Sequence, residues 1–173
     1  METKPFLIIV LGLPGTGKST FATAFAQKIK AEHLNTDKIR DQLGLRGKYD
    51  QETKSMIYQQ MLSLARKKLK ENQHVIIDGT FSNTEWRKKI LSLANEFSCK
   101  ISWFVMDADE AIIKERISKK RRYSEADFSV YKKVRNSYDP ILYPNLVLHS
   151  DQYSVDEMIE QALNYLTRSD INY

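Results

Sequence analysis

Gly12-Leu13-Pro14-Gly15-Thr16-Gly17-Lys18-Ser19 is a complete phosphate-binding loop, G-x-x-x-x-G-K-S, and its flanks supply the context the pattern needs. Upstream, Phe6-Leu7-Ile8-Ile9-Val10-Leu11 is a short apolar run that reads as a buried strand. Downstream, Thr20 to Lys30 places Phe21, Ala24, Phe25 and Ile29 at helical spacing. Gly15 and Gly17 let the backbone turn inward, so successive N–H groups face the β- and γ-phosphates. The helix opening at Lys18 adds the positive end of its dipole. Lys18 is a mobile point charge that can follow the γ-phosphoryl, and Ser19 offers its hydroxyl to Mg²⁺. Leu13, Pro14, Gly15, Thr16, Gly17, Lys18, Ser19 and Thr20 are therefore the expected contacts of a nucleoside triphosphate. The bland reading, a glycine turn capping an ordinary helix, has both flanks against it.

At 173 residues the chain is long enough for one domain, 1–173, with a proper core. A composition of 42% hydrophobic and 28% charged residues is that of an ordinary soluble globular protein. The longest apolar run, Phe6 to Leu11, is far too short to cross a membrane, and it leads straight into the loop rather than to a cleavage site. The single cysteine, Cys99, excludes an internal disulfide and fits a reducing cytoplasm, packed as a small hydrophobe. The net charge of +5 is unevenly spread: +6 over residues 1–72, 0 over 73–108, +4 over 109–135 and −5 over 136–173. Lys114 to Arg122 holds six basic residues in nine. Such a cluster suits a nucleic-acid partner or the lining of a triphosphate site, and charge alone does not choose.

Apolar strand-like runs alternate with helical patterns, without repeats or an obvious linker. The predicted strands are Phe6–Leu11, His33–Asn35, His74–Asp78, Lys100–Met106 and Leu146–His149. Ile57, Met61, Leu64, Ala65 and Leu69 stripe one helix, and Trp86, Ile90, Leu93, Ala94 and Phe97 another. Val155, Met158, Ile159, Ala162, Leu163 and Leu166 stripe the last. Ser82-x-x-Glu85 and Ser154-x-x-Glu157 read as capping boxes. The alternation predicts an α/β fold with a five-stranded parallel sheet covered by helices on both faces, its ligand at the carboxyl ends of the strands.

Three further elements fall on that edge. Asn35-Thr36-Asp37-Lys38-Ile39-Arg40 follows the second strand, where Asp37 can take a proton from an acceptor hydroxyl. Arg40, one turn on, shares that face and can hold a polar or anionic group of the acceptor. The alternative is that Thr36 or Asp37 merely caps the helix beginning there, and sequence alone leaves both open. Val75-Ile76-Ile77-Asp78-Gly79-Thr80 has the shape of a strand whose terminal carboxylate holds Mg²⁺, although Asp-Gly also ends strands for turn chemistry alone. In the basic segment, Arg116, Arg121 and Arg122 are candidates to neutralise charge in phosphoryl transfer. Spaced at i, i+5 and i+6, they cannot all face the site from one straight helix. A later Ser124-x-x-Asp127 box predicts a break between two helices, hence a helical lid over about 114–135.

Other features carry less. Asp41-Gln42-Leu43-Gly44 matches the D-x-x-G of switch GTPases, yet no N-K-x-D follows, and Gly44 reads as a helix C-terminal glycine. Asp107-Ala108-Asp109 ends a strand and caps a helix. His33, His74 and His149 lack metal-ligand spacing and read as structural.

From about Phe6 to Leu166 the chain resembles a group of small P-loop kinases. That group includes the kinase domain of polynucleotide 5′-hydroxyl kinases, the zeta toxins, chloramphenicol phosphotransferase and stand-alone "predicted kinases". The resemblance rests on Gly12–Thr20, Asn35-Thr36-Asp37-x-x-Arg40, Val75–Thr80 followed by Arg87, and the basic stretch Arg116–Arg122. It implies a P-loop NTPase fold of kinase type, with ATP as nucleotide and Mg²⁺ as cofactor. By the same resemblance the aspartate matching Asp37 is the general base, the lid arginines (Arg116 and Arg122 among them) contact the triphosphate, and Arg87 faces the substrate cleft. An exposed helix arginine is the other reading of Arg87. The chain lacks the partner domain often joined to polynucleotide kinases and the extra length of the zeta toxins, so the substrate does not carry over.

These readings predict a soluble cytoplasmic kinase, monomer or homodimer, that moves the γ-phosphoryl of ATP to a hydroxyl. Catalytic roles fall on Asp37, Lys18, Arg116 and Arg122, acceptor contacts on Asp37, Arg40 and Arg87, and Mg²⁺ ligation on Ser19 and Asp78. The acceptor is a nucleic-acid 5′-hydroxyl or a small metabolite. The rival reading is a nucleotide switch or ATPase that binds nucleic acid without phosphorylating anything.

Overall fold

Leu7 to Leu11 are all fully buried, because strand β1 (Phe6–Leu11) runs through the middle of a sheet covered on both faces. The computed structural model describes residues 4–119 and 127–169. Its sheet contains β1, β2 (Glu32–Asn35), β3 (Val75–Asp78), β4 (Lys100–Asp107) and β5 (Asn145–His149), all parallel, in the order β2-β3-β1-β4-β5. Every predicted strand forms, each within a residue of its expected ends. The period-two alternation of β1 divides the core. Leu7, Ile9 and Leu11 face a cluster built with α3 (Gln51–Lys70) and α4 (Thr84–Glu96), including Ile57, Met61, Ile90 and Leu93. Ile8 and Val10 face the opposite cluster with α1 (Lys18–Ile29) and α7 (Val155–Ser169), including Phe21, Phe25, Met158 and Ala162.

Short α2 (Thr36–Gln42) packs against α3 and ends on Gly44. The Gly44 backbone is left-handed at φ 67°, and its N–H donates to Asp41 O, as the C-terminal reading requires. Beyond β4, α5 (Glu110–Ser118) and α6 (Phe128–Asn136) bury Ile113, Ile117 and Tyr131 against one another in a small third cluster. They include the described residues of the segment expected to form a helical lid. Asp109 caps α5 by accepting from the Ala111 N–H, and Asp127 caps α6 by accepting from the Val130 N–H. Ser124 and the break itself lie outside the described residues. No described helix is long and apolar enough to cross a membrane. Cys99 is half-buried, and burial pushes its thiol above the usual range.

Two local expectations fare differently. Ser154 and Glu157 form the reciprocal box, Ser154 N donating to Glu157 Oε2 at 2.7 Å and Glu157 N to Ser154 Oγ at 3.3 Å. Ser82 does not cap α4. Asn83 does, accepting from the Glu85 N–H at 2.6 Å. The Ser82 carbonyl is engaged elsewhere, by the Asp139 N–H at 2.9 Å and by Arg87.

Arg87 is a second correction, since it faces neither the substrate cleft nor solvent. It has no exposed surface and is the largest fully buried side chain among the described residues. Its guanidinium donates to Phe81 O (2.7 Å), Pro140 O (2.8 Å), Asp139 O (2.9 Å) and Ser82 O (3.3 Å), with the Tyr138 ring 5.1 Å away. It ties the turn before α4 to the segment after α6. Truncation to Arg87→Met would strand three carbonyls, since Ser82 O keeps the Asp139 N–H, each costing about 1–3 kcal/mol when buried unpaired. Thermal unfolding of that variant should come at least 6 °C below wild type, at about 2–4 °C per kcal/mol for a chain of this size.

Candidate active site

The loop leaves β1 at Gly12, whose φ of 147° is strained for any side chain, and a Cβ there would lie 2.4 Å from the Met106 carbonyl oxygen of β4. No other residue type fits that crossing. Thr16 is buried, its hydroxyl donating to Leu13 O at 2.8 Å, and Lys18 Nζ donates to the same carbonyl at 2.8 Å. Gly17 precedes α1 in the left-handed region at φ 86° and supplies no side-chain cap. The first N–H groups of α1 are thereby left to an anion. Ser150, just past β5, donates its hydroxyl to Thr16 O at 2.8 Å. Arg116 of α5 donates to Ser150 Oγ (2.8 Å), Ser150 O (3.0 Å) and Gly15 O (3.3 Å), so its guanidinium lies on the loop.

Asp78, at the end of β3, has no exposed surface. Its Oδ2 accepts from Asn35 Nδ2 at 2.7 Å and lies 3.1 Å from His33 Nε2, while Oδ1 is buried without a protein partner. The Asn35 amide also donates to Ser19 Oγ at 2.9 Å. A carboxylate oxygen with no donor, beside a hydroxyl held in place, is a donor set that fits a hard divalent cation. Ser19 and Asp78 thus meet as the sequence predicts. His33 is structural in the sense expected, and its partner is this carboxylate.

Asp37 is not a helix cap. Asn35 caps α2 by accepting from the Lys38 N–H at 2.9 Å, which leaves the Asp37 carboxylate, one residue into the helix, unused by the backbone. Burial pushes the Asp37 carboxyl above the usual aspartate range, and Asp78 adds to this, while Arg40 and Lys18 pull the other way. Arg40 donates to Asp37 and stacks on the Tyr49 ring at 4.6 Å. Its Nε is buried without a partner.

One cavity of about 1240 Å³ joins these parts, lined by the loop, Asp78 and Arg116 together with Asp37, Arg40 and Lys54. That exceeds the roughly 300–1,000 Å³ of a single small-ligand pocket and suits two ligands side by side. Of the predicted residues, Pro14, Gly15, Gly17, Lys18, Ser19, Thr20, Asp37, Arg40, Asp78 and Arg116 line it, and Leu13, Thr16 and Arg87 do not. Arg121 and Arg122 lie outside the described residues. Sequence reasoning missed Ser150, Lys54 of α3 and Lys133 of α6. Only Ser150 carried a signal, its place directly after the last strand on the carboxyl edge.

The chain belongs to the AAA domain family AAA_33, whose model matches residues 7–141. It is 32% identical over 123 residues to an uncharacterised protein of Mycobacterium tuberculosis, covering 64% of this chain and 25% of that one. The chain thus spans about a quarter of the length of that curated relative. Similarity to the adenylyl-sulfate kinase of Chloroflexus aurantiacus is 25% identity over 168 residues, 92% of this chain and 88% of the relative. Among solved structures, an unliganded sugar kinase of Janibacter superposes with a TM-score of 0.72 at 16% identity, covering 94% of this chain and 95% of that one. The fold is that of a P-loop kinase.

Proposed function

We propose that this member of the AAA domain family transfers the γ-phosphoryl of ATP to a hydroxyl group, with Asp37 as general base. The observation that carries the proposal is the Asp37 carboxylate. It is released from capping by Asn35, held by Arg40, shares one cavity with the loop, and has its proton affinity raised by burial. An acceptor hydroxyl beside it gives up its proton to Asp37 as its oxygen attacks, and the carboxylate sets the line of approach. Loop N–H groups, Lys18 and Arg116 take the triphosphate, Arg116 exchanging its bond to Gly15 O for phosphate oxygen. Leu13, Pro14, Thr16 and Thr20 complete the nucleotide contacts, and Ser19 and Asp78 hold Mg²⁺. That ion, when bound, offsets charge on the β- and γ-phosphate oxygens. Catalysis is then mostly positioning in a partly dry cleft.

Likeness to an adenylyl-sulfate kinase over nearly the whole chain supports the kinase class over a switch. So do the motifs shared with the polynucleotide kinase, zeta toxin and chloramphenicol phosphotransferase group, in which the aspartate matching Asp37 is the base.

A γ-³²P-ATP transfer screen against alcohols, nucleosides and 5′-hydroxyl oligonucleotides should put label on an acceptor. Label found only as free phosphate would replace the kinase reading with an ATPase. Asp37→Asn should keep ATP affinity within about twofold and lose about 10²–10⁴ in kcat, the usual worth of a positioned base. Because the active base is the ionised form and burial disfavours it, kcat/KM should rise with pH through a value above the ordinary aspartate range. Arg40 lowers that value, so Arg40→Gln should move the acidic limb of the profile further toward alkaline pH.

A further inference from the structure

Three cations from three elements line this cavity together: Arg40 of α2, Lys54 of α3 and Lys133 of α6. Their charges are close enough to feel one another. Burial, then Lys133, then Arg40 depress the Lys54 ammonium below its usual range, and only Asp50 opposes them. Asp50 is already committed, its carboxylate capping α3 by accepting from Thr53 N at 2.9 Å and Thr53 Oγ1 at 2.7 Å. Asp139, which also lines the cavity, accepts from the Thr84 N–H at 2.6 Å, and Asp37 is held by Arg40. Neither Lys54 nor Lys133 forms an ion pair among the described residues. Arg40 has a nine-tenths buried side chain and an Nε without a partner. Arg40 is paired with Asp37, but half-buried Lys54 and exposed Lys133 add two further positive charges beside it, and an anion entering here would offset that excess.

We propose that Arg40, Lys54 and Lys133 form an anion subsite, and that the acceptor is a small alcohol carrying a phosphate, sulfate or carboxylate, its hydroxyl presented to Asp37. The assignment of the hydroxyl rests on the phosphoryl-transfer reading; the anion subsite does not. A single compact anion fits better than a polynucleotide. The three cations meet at one place, whereas single-strand binders track the backbone along a groove and stack bases on exposed rings. Here the Tyr49 ring is stacked by Arg40 and the Tyr58 and Trp86 rings pack against each other, which leaves Tyr153, three residues past Ser150, as the exposed ring on the cavity wall.

Two experiments on the full chain separate the possibilities. In the first, inorganic sulfate is titrated into protein saturated with Mg²⁺ and a non-hydrolysable ATP analogue, which fills the loop, and thermal stabilisation is read. Wild type should be stabilised at millimolar sulfate, Lys54→Gln and Lys133→Gln should lose at least tenfold in apparent affinity, and Lys54→Arg should recover most of it. Equal sulfate response in wild type and both Gln variants overturns the subsite, whatever the enzyme does. In the second, label transfer is compared between matched neutral and acidic alcohols (polyol, aldonic acid, sugar phosphate, alkyl sulfate) and a 5′-hydroxyl oligonucleotide. The acidic small acceptors should show KM at least tenfold below their neutral counterparts, and Lys54→Gln should remove that advantage with kcat within threefold. Preference for a neutral alcohol or for the oligonucleotide overturns the proposal. Label in free phosphate alone, with sulfate binding still dependent on Lys54, defeats the kinase reading and leaves the anion subsite standing.

Discussion

A carboxylate without exposed surface must be answered by its neighbours, and the answer to Asp78 organises this molecule. Parallel register sets Asn35 of β2 directly beside Asp78 on one side and Val10 of β1 on the other. The chain returns from β2 to insert β3 between the first two strands, so the end of β1, where the loop begins, and the end of β2, where α2 begins, flank one buried acid. Half of that acid is satisfied by Asn35 and His33, and the other oxygen is left for a cation. The proposed nucleotide and acceptor sites thus share a wall.

Three arginines show how little residue type says by itself. Arg87 is sealed in the fold and bonded wholly to main-chain carbonyls, making it a structural strut. Arg40 is equally enclosed, yet its partners are a carboxylate and a ring, and one nitrogen is unspent. Arg116 reaches from a separate helix to the phosphate loop through carbonyls and a hydroxyl. A planar, permanently charged fork serves all three settings because its donors accept whatever oxygen the fold supplies.

What was legible in the sequence is what local rules govern. The loop, the five strands and the apolar stripes follow from spacing within a few residues, and each appears where expected. The Ser154 box holds because its two partners lie on one helix turn. The Ser82 box fails because a segment more than fifty residues away claims that residue's carbonyl. Arg87 follows the same logic, its surroundings being assembled from residues 81–82 and 139–140. Asp37 reads from sequence as either cap or base, and the cap is taken by Asn35, which the local pattern does not reveal. Lys54 and Lys133 were invisible as a pair, because only the packing of α6 over the cleft brings their charges together.

Asn35 has a consequence of its own. One amide touches Ser19 and Asp78 through its nitrogen and opens α2, the helix of Asp37, through its oxygen. The spacing between Ser19 and Asp78, the proposed metal ligands, and Asp37, the proposed base, is therefore bridged by one planar group whose bond lengths do not vary. Aspartate at that position would keep the helix start and lose both donors, and glutamine would stretch the link by a methylene. In the proposed reaction, a single side chain in the cavity wall thus carries much of the tolerance of the transfer geometry.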